Sequence, residues 1–248
     1  MECILKTAIV TGVSGKIGSE IAVTLIQNGY FVFGTFNKNE KGIEQVTERL
    51  SGEQKDMFFA YSVDLKDRQK TQNFVETVYK SVRHVDLIVN NAGIDLIKPI
   101  TDCTESDYEN VFGVNVKGAI ILTNLILPDM ISRKSGKVIN VSSVWGKVGA
   151  SCEVLYSASK SAIIGYTKAL AKELAESKIN VNCVCPGVID SPMNDCFTNE
   201  EKQDIISEIP FGKMGTAKDV SELIKFLASD SANYITGEII TVDGGFTL

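Results

Sequence analysis

The stretch KTAIVTGVSGKIGSEIAVTLIQNGY, residues 6–30, decides how the chain folds. A β-branched run from Thr7 to Val10 stops at glycines 12, 15 and 18, and a helical pattern follows through Ile17, Ile21, Val23, Leu25 and Ile26. This reads as strand, tight turn and helix. Glycines in such a turn let backbone amides approach a pyrophosphate, and the helix N-terminus adds partial positive charge. The same letters also suit a plain strand-to-helix turn, so the rest of the chain has to decide.

Working outward, the alternation continues without a break. Phe31 to Phe36 is a strand pattern leading into NKNEKG, Met57 to Val63 a strand closed by Asp64, and Lys66 to Val82 a helix. VDLIVNNAG is a strand ending in Asn90, Asn91, Ala92 and Gly93. Glu105 to Ile131 is a long helix with Asn115 in its apolar middle, and Lys137 to Val141 is another strand. A second long helix spans about Tyr156 to Ser177, followed by the strand INVNCVCPG. Strands alternating with helices of about ten or more residues need right-handed crossovers, and therefore a mainly parallel sheet covered on both faces. The fold class is α/β: one Rossmann-type, doubly wound parallel sheet in a single domain over residues 1–248. No repeat or Pro/Gly-rich linker divides it.

Composition narrows the function. The 248 residues are 44% hydrophobic, enough for one sizeable core. A net charge of −6 with a single His argues against a nucleic-acid surface, which needs clustered Lys and Arg. No uninterrupted apolar run reaches the ~18 residues of a membrane span, and the N-terminus reads straight into a strand, so a cytoplasmic protein with no membrane partner is expected. The cysteines at 3, 103, 152, 183, 185 and 196 include no CxxC pair, and no metal site is expected. They read as buried thiols, with Cys152, close to Tyr156, as the one to watch.

The chemistry concentrates in SSVWGKVGASCEVLYSASK, residues 142–160. Tyr156 and Lys160 lie four residues apart, about one helical turn, and so share a face; Ser143 stands upstream at a strand end. An ammonium near a phenol is expected to stabilise the phenolate and lower its pKa, while a hydroxyl holds a carbonyl oxygen beside it. Those groups suit protonation of an oxygen while a hydride reaches its carbon. Taken singly, each is more often a cap, a packed ring or a solvated charge.

The motifs together resemble the short-chain dehydrogenase/reductase family over the whole length. TGVSGKIG resembles its TGxxxGxG cofactor loop, NNAG its sheet-stabilising segment, YSASK its YxxxK, PGVIDSPM its PGxxxTxM segment along the nicotinamide, and VDGG is also similar to the family. The resemblance implies a catalytic set of Asn115, Ser143, Tyr156 and Lys160, with Asn115 holding a water that links Lys160 to solvent. It implies cofactor contacts from Gly12, Ser14, Gly15, Lys16, Ile17, Gly18, Asn37, Lys38, Asp64, Leu65, Asn91, Ala92, Gly93, Tyr156, Lys160, Pro186, Gly187, Ile189 and Ser191. Lys16 stands where the family usually has its second loop glycine, and Ser191 where it usually has Thr. Substrate contacts are expected from Ser143, Trp145 and Glu153.

The end of the second strand has Phe36, Asn37 and Lys38 with no acid; with Lys16, this favours NADP(H) over NAD(H). Within the family the chain is most similar to the 3-oxoacyl-acyl-carrier-protein reductases, while SSVWGKVGASCEVLYS resembles the elongation factor P 5-aminopentanone reductases. The expected substrate is a small-molecule or carrier-attached ketone. Arg133, Lys134 and Lys137 form a basic cluster able to meet an acidic carrier, whereas Glu153, if it faces the pocket and not solvent, suits an ammonium. A non-catalytic NADP(H)-binding regulator is the alternative of another class. The resemblance also implies a homotetramer built on the two long helices and the edge near Ile239 to Leu248. Ile120, Ile121, Ile163, Ile164 and Tyr166 exceed one sheet-facing stripe, in keeping with that.

Overall fold

The computed structural model of the chain describes residues 6–191 and 198–248. Cys3, Cys196 and the Pro192 and Met193 of the PGVIDSPM segment lie outside the described residues. In chain order the elements are β1 (Lys6–Thr11), α1 (Lys16–Gln27), β2 (Tyr30–Phe36), α2 (Glu40–Glu48), α3 (Gly52–Lys55), β3 (Phe58–Ser62), α4 (Arg68–Ser81) and β4 (Leu87–Asn90). There follow α5 (Glu105–Phe112), a π-helical segment (Gly113–Gly118), α6 (Ala119–Arg133), β5 (Gly136–Val141), α7 (Trp145–Val148) and α8 (Val154–Leu174). The last are β6 (Ile179–Pro186), α9 (Asn199–Ser207), α10 (Ala217–Ala228) and β7 (Ile239–Val242).

Seven strands pair in the order β3-β2-β1-β4-β5-β6-β7, every pairing parallel. The order reverses between β1 and β4, which opens a crevice at the carboxyl ends of those strands. One face of the sheet is covered by α1, α2 and α10 through Ile21, Leu25, Val46, Val220, Ile224 and Leu227. The other is covered by α4, α6 and α8 through Phe74, Val78, Leu122, Ile126, Met130, Leu170 and Leu174. Each such side chain removed from water stabilises the fold by about 1.5–3 kcal/mol. Burial on both faces explains why the central strands read as unbroken apolar runs.

Two refinements of the sequence reading follow. Helix α2 begins inside the stretch that reads as the loop NKNEKG, because the Asn39 side chain accepts from the Gly42 N–H (3.1 Å) and caps it. The stretch Glu105–Arg133 contains an 18-residue window of mean hydropathy 1.6 and is long and apolar enough to cross a membrane by length and composition alone. Counting only unbroken apolar runs misses this. Its Leu122, Ile126 and Met130 are fully buried against the sheet, which marks a core helix.

Candidate active site

The crevice is a cavity of about 1030 Å³ along the carboxyl ends of the strands. At one end lies the turn after β1. Gly12 has φ +73°, and a Cβ on it would stand 3.0 Å from the Ala92 Cα, so the NNAG segment packs directly onto the turn. Thr11 and Asn91 staple the two: Thr11 Oγ1 accepts from the Asn91 and Ala92 N–H groups (2.9 Å each), and Asn91 Nδ2 donates to the Thr11 carbonyl (2.8 Å). Helix α1, twelve residues long, starts here with Gly15 as its cap, no side-chain cap and no acid in its first turn. An uncapped helix N-terminus facing a cavity fits a pyrophosphate.

At the other end, β5 stops at Val141 and α8 starts at Val154, bringing Ser143, Tyr156 and Lys160 to one wall of the cavity. Lys160 Nζ lies 5.6 Å from the Tyr156 ring centroid and donates to the Val141 carbonyl (3.0 Å). Gly93 leaves room for it: a Cβ there would be 3.1 Å from Lys160 Nζ and 3.4 Å from Asn115 Oδ1. Asn115 stands behind this wall in the π-helical segment, a widening of the helix common at functional sites. Its Oδ1 accepts from the Ile94 N–H (2.8 Å), and its Nδ2 donates to the Ile94 carbonyl and to Ser159 Oγ (2.9 Å each). A buried amide is thereby satisfied inside an apolar helix.

Electrostatics depart from the expectation at Tyr156. Burial raises the phenol above its ordinary pKa; its hydrogen bond with Ser143 opposes the rise, and the charges of Glu153 and Asp95 add to it. Burial also lowers Lys160, from 10.5 to about 8, with Cys183 and Cys185 opposing. The phenol is thus raised where a lowering was expected, with desolvation as the largest cause. Glu153 is half-buried and raised, first by burial and then by Asp95. It stands at the N-cap position of α8 but its side chain makes no cap hydrogen bond, and both it and Asp95 line the cavity.

All the residues named from the sequence line this cavity except two, Asn115 and Lys38. Lys38 is exposed outside it. Lys16 is at the rim but pairs with Asp190 across the mouth (3.1 Å), so it does not stand as a free cation beside a phosphate. The adenosine-side lining includes Lys41 and Arg49, which sequence reasoning missed; both come from α2 and the residue ending it, a helix that the Asn39 cap alone could have signalled. Asp95 and Phe246 were missed as well, although Phe246 directly follows VDGG and Asp95 lies two residues past NNAG. Cys183 and Cys185 are buried, as cysteines usually are, but Cys103 is half-buried and Cys152 is exposed and outside the lining. Of the basic cluster, Arg133 is paired with Asp86 and Asp129, and Lys137 donates to the Leu227 and Ser229 carbonyls. Both lie at the amino ends of the strands, opposite this chain's own cavity.

Comparison with known proteins agrees with this geometry. A family model described as short chain dehydrogenase matches residues 6–202. The chain is 40% identical over 242 residues to the uncharacterized oxidoreductase YmfI of Bacillus subtilis, covering 97% of this chain and 98% of that one. It is 36% identical over 245 residues to the 3-oxoacyl-[acyl-carrier-protein] reductase FabG of Thermotoga maritima, covering 98% of each. It is 37% identical over 243 residues to nodulation protein G of Rhizobium meliloti, covering 98% and 97%.

Proposed function

The chain belongs to the short-chain dehydrogenase family and is an NAD(P)-dependent oxidoreductase, and from that premise we infer that it reduces a ketone with NADPH. The observation that carries this reading is the convergence of Ser143, Tyr156 and Lys160 at one end of a cavity whose other end is the uncapped start of α1. Bound there, the cofactor supplies the hydride. Ser143 holds the substrate oxygen, Tyr156 donates the proton to it, and Lys160 holds the nicotinamide ribose and offsets the phenolate charge as the proton leaves. Asn115 is a positioning residue that ties Ile94 to Ser159 behind the wall. The intact set of reacting groups argues against a purely regulatory binder.

Preference for NADPH is supported by the absence of an acid at Phe36 and by Lys41 and Arg49 along the adenosine end. Arg49 also pairs with Glu20, leaving Lys41 as the side chain to test first. Oxidation of NADPH and NADH by the purified protein with a panel of ketones tests the reading. A several-fold larger kcat/KM for NADPH is expected; no ketone-dependent oxidation of either cofactor would overturn it.

For the substrate, relatives named 3-oxoacyl-[acyl-carrier-protein] reductase favour a 3-oxoacyl group on a carrier, handled in the cytoplasm. A second reading has its own observation. Glu153 and Asp95 place two carboxylates beside Tyr156, and a ketone bearing an ammonium, such as the aminopentanone formed on elongation factor P, would gain a charge-assisted bond of about 1.5–3 kcal/mol there. Glu153→Gln assayed on an acetoacetyl thioester and on an amino-ketone separates the two. Selective loss on the amino-ketone supports the second reading, and an equal effect leaves the first.

A further inference from the structure

One wall of the cavity joins Trp145, expected at the substrate from the sequence, to a ring that the sequence reading missed. Phe246, four residues past the end of β7, lines the cavity together with Trp145 at the start of α7. The two rings meet edge to face, with centroids 5.4 Å apart and planes at 74°. Such a contact is directional and fixes both rings. The tail that carries Phe246 is itself held in place. The Asp243 carboxylate accepts from the Gly245 N–H (3.0 Å), the Thr247 N–H (3.0 Å) and the Thr247 hydroxyl (2.7 Å), closing the last residues into a hook. Gly244 and Gly245 have φ of +63° and +90°, and a Cβ on either would stand 3.1 Å from Ile209 or Pro210, so the hook is pressed against the segment after α9. The Phe211 N–H donates to the Gly244 carbonyl (3.2 Å). A half-buried aromatic ring at the edge of a reacting pocket, on a tail fixed at this many points, is a rigid surface for something else to lie against.

We propose that Phe246, set by the Asp243 hook and braced by Trp145, is a specificity-determining residue that selects ketones carrying an unbranched apolar arm. Two rings held at a steep angle form a groove that a linear chain fills along its length. A branch next to the carbonyl would meet a ring edge that the hook prevents from moving. The proposal rests on the reading of this site as a ketone reductase and is neutral between the two substrates above, because both carry a linear arm.

Trp145 is the only tryptophan in the chain, so intrinsic fluorescence reports this wall directly. Wild type, Phe246→Ala, Phe246→Leu and Asp243→Asn are titrated with 2-butanone, 2-octanone and 3,3-dimethyl-2-butanone in the presence of NADP+, which permits binding without turnover, and thermal melts check that each variant is folded. In the wild type, 2-octanone is expected to bind at least roughly tenfold more tightly than 2-butanone through its extra methylenes, with the branched ketone weakest. Phe246→Ala shifts the Trp145 emission, shrinks the tenfold ratio to under about threefold and admits the branched ketone. Asp243→Asn moves all three readings in the same direction, and Phe246→Leu falls between. A wild-type ratio retained in folded Phe246→Ala or Phe246→Leu overturns the proposal, as does a wild type that reduces ketones without any Trp145 response. The reverse pattern, Phe246-dependent quenching with no reduction of any ketone, keeps the wall and overturns the reductase reading.

Discussion

Tyr156 and Lys160 are buried, and burial is the largest cause of the direction in which each titration moves. The phenol is pushed up and stays protonated through the neutral range, which suits a proton donor. Tyr156→Phe keeps the packed ring and removes the proton, so kcat should fall by about 10²–10⁴-fold while cofactor affinity, read by NADPH fluorescence, changes less than about twofold. Lys160 titrates at about 8. Its positive charge, needed beside the developing phenolate, disappears above that value. The kcat/KM for reduction should therefore decline along an alkaline limb with an apparent pKa near 8, and a profile flat to pH 10 would contradict the assignment. Stability moves the other way. Between about 8 and 10.5 the unfolded chain holds a proton on Lys160 that the folded chain has lost. The folded state thus gains stability as pH rises through this window and loses it as pH falls back through about 8.

Among the elements, the π-helical segment between α5 and α6 bears most directly on the site. It sets the Asn115 amide against the Ile94 backbone and Ser159, three hydrogen bonds that join β4's extension to α8. Asn115→Ala leaves the part-buried Ile94 N–H without this partner, at a cost of up to about 1–3 kcal/mol. The expected fall in Tm is roughly 5 °C at this chain length, accompanied by reduced kcat, and an unchanged Tm would deny the segment its structural role. The periodicity of residues 105–131 reveals a long helix, but no periodicity reveals that six of its residues are wound more widely, since that depends on what Asn115 finds across the gap. The Lys16 and Asp190 pair is similar: the two are 174 positions apart, and only the closed cleft brings them together.

For the whole molecule, the surface left by one chain points to assembly. Ile121 and Ile163 are consumed by the core, but Ile120, Ile164 and Tyr166 remain half-exposed, and Tyr108 and Ile131 stand about half open to solvent on the same pair of long helices. The edge strand β7 is only half-buried along its length. The homotetramer with dihedral symmetry that the family resemblance implies would cover these surfaces, and light scattering at micromolar concentration should then give about four chain masses; a monomer there would contradict it. Such packing would also decide whether the amino-end cluster around Lys134 lies near a neighbouring chain's cavity.

The parallel sheet, the glycine turn and the Ser143, Tyr156 and Lys160 set were legible in the sequence because each depends on local spacing. Alternating strand and helix patterns leave little topological choice, and a Tyr and Lys one helical turn apart share a face wherever the helix goes. Tertiary structure alone decided what those groups experience. It buried Tyr156 and Lys160 deeply enough to reverse the expected shift of the phenol, and tied Lys16 to Asp190. It also swung Phe246 against Trp145, and set Asp95 beside Glu153. Desolvation and contacts between distant segments depend on how the whole chain packs, and no window of sequence contains them.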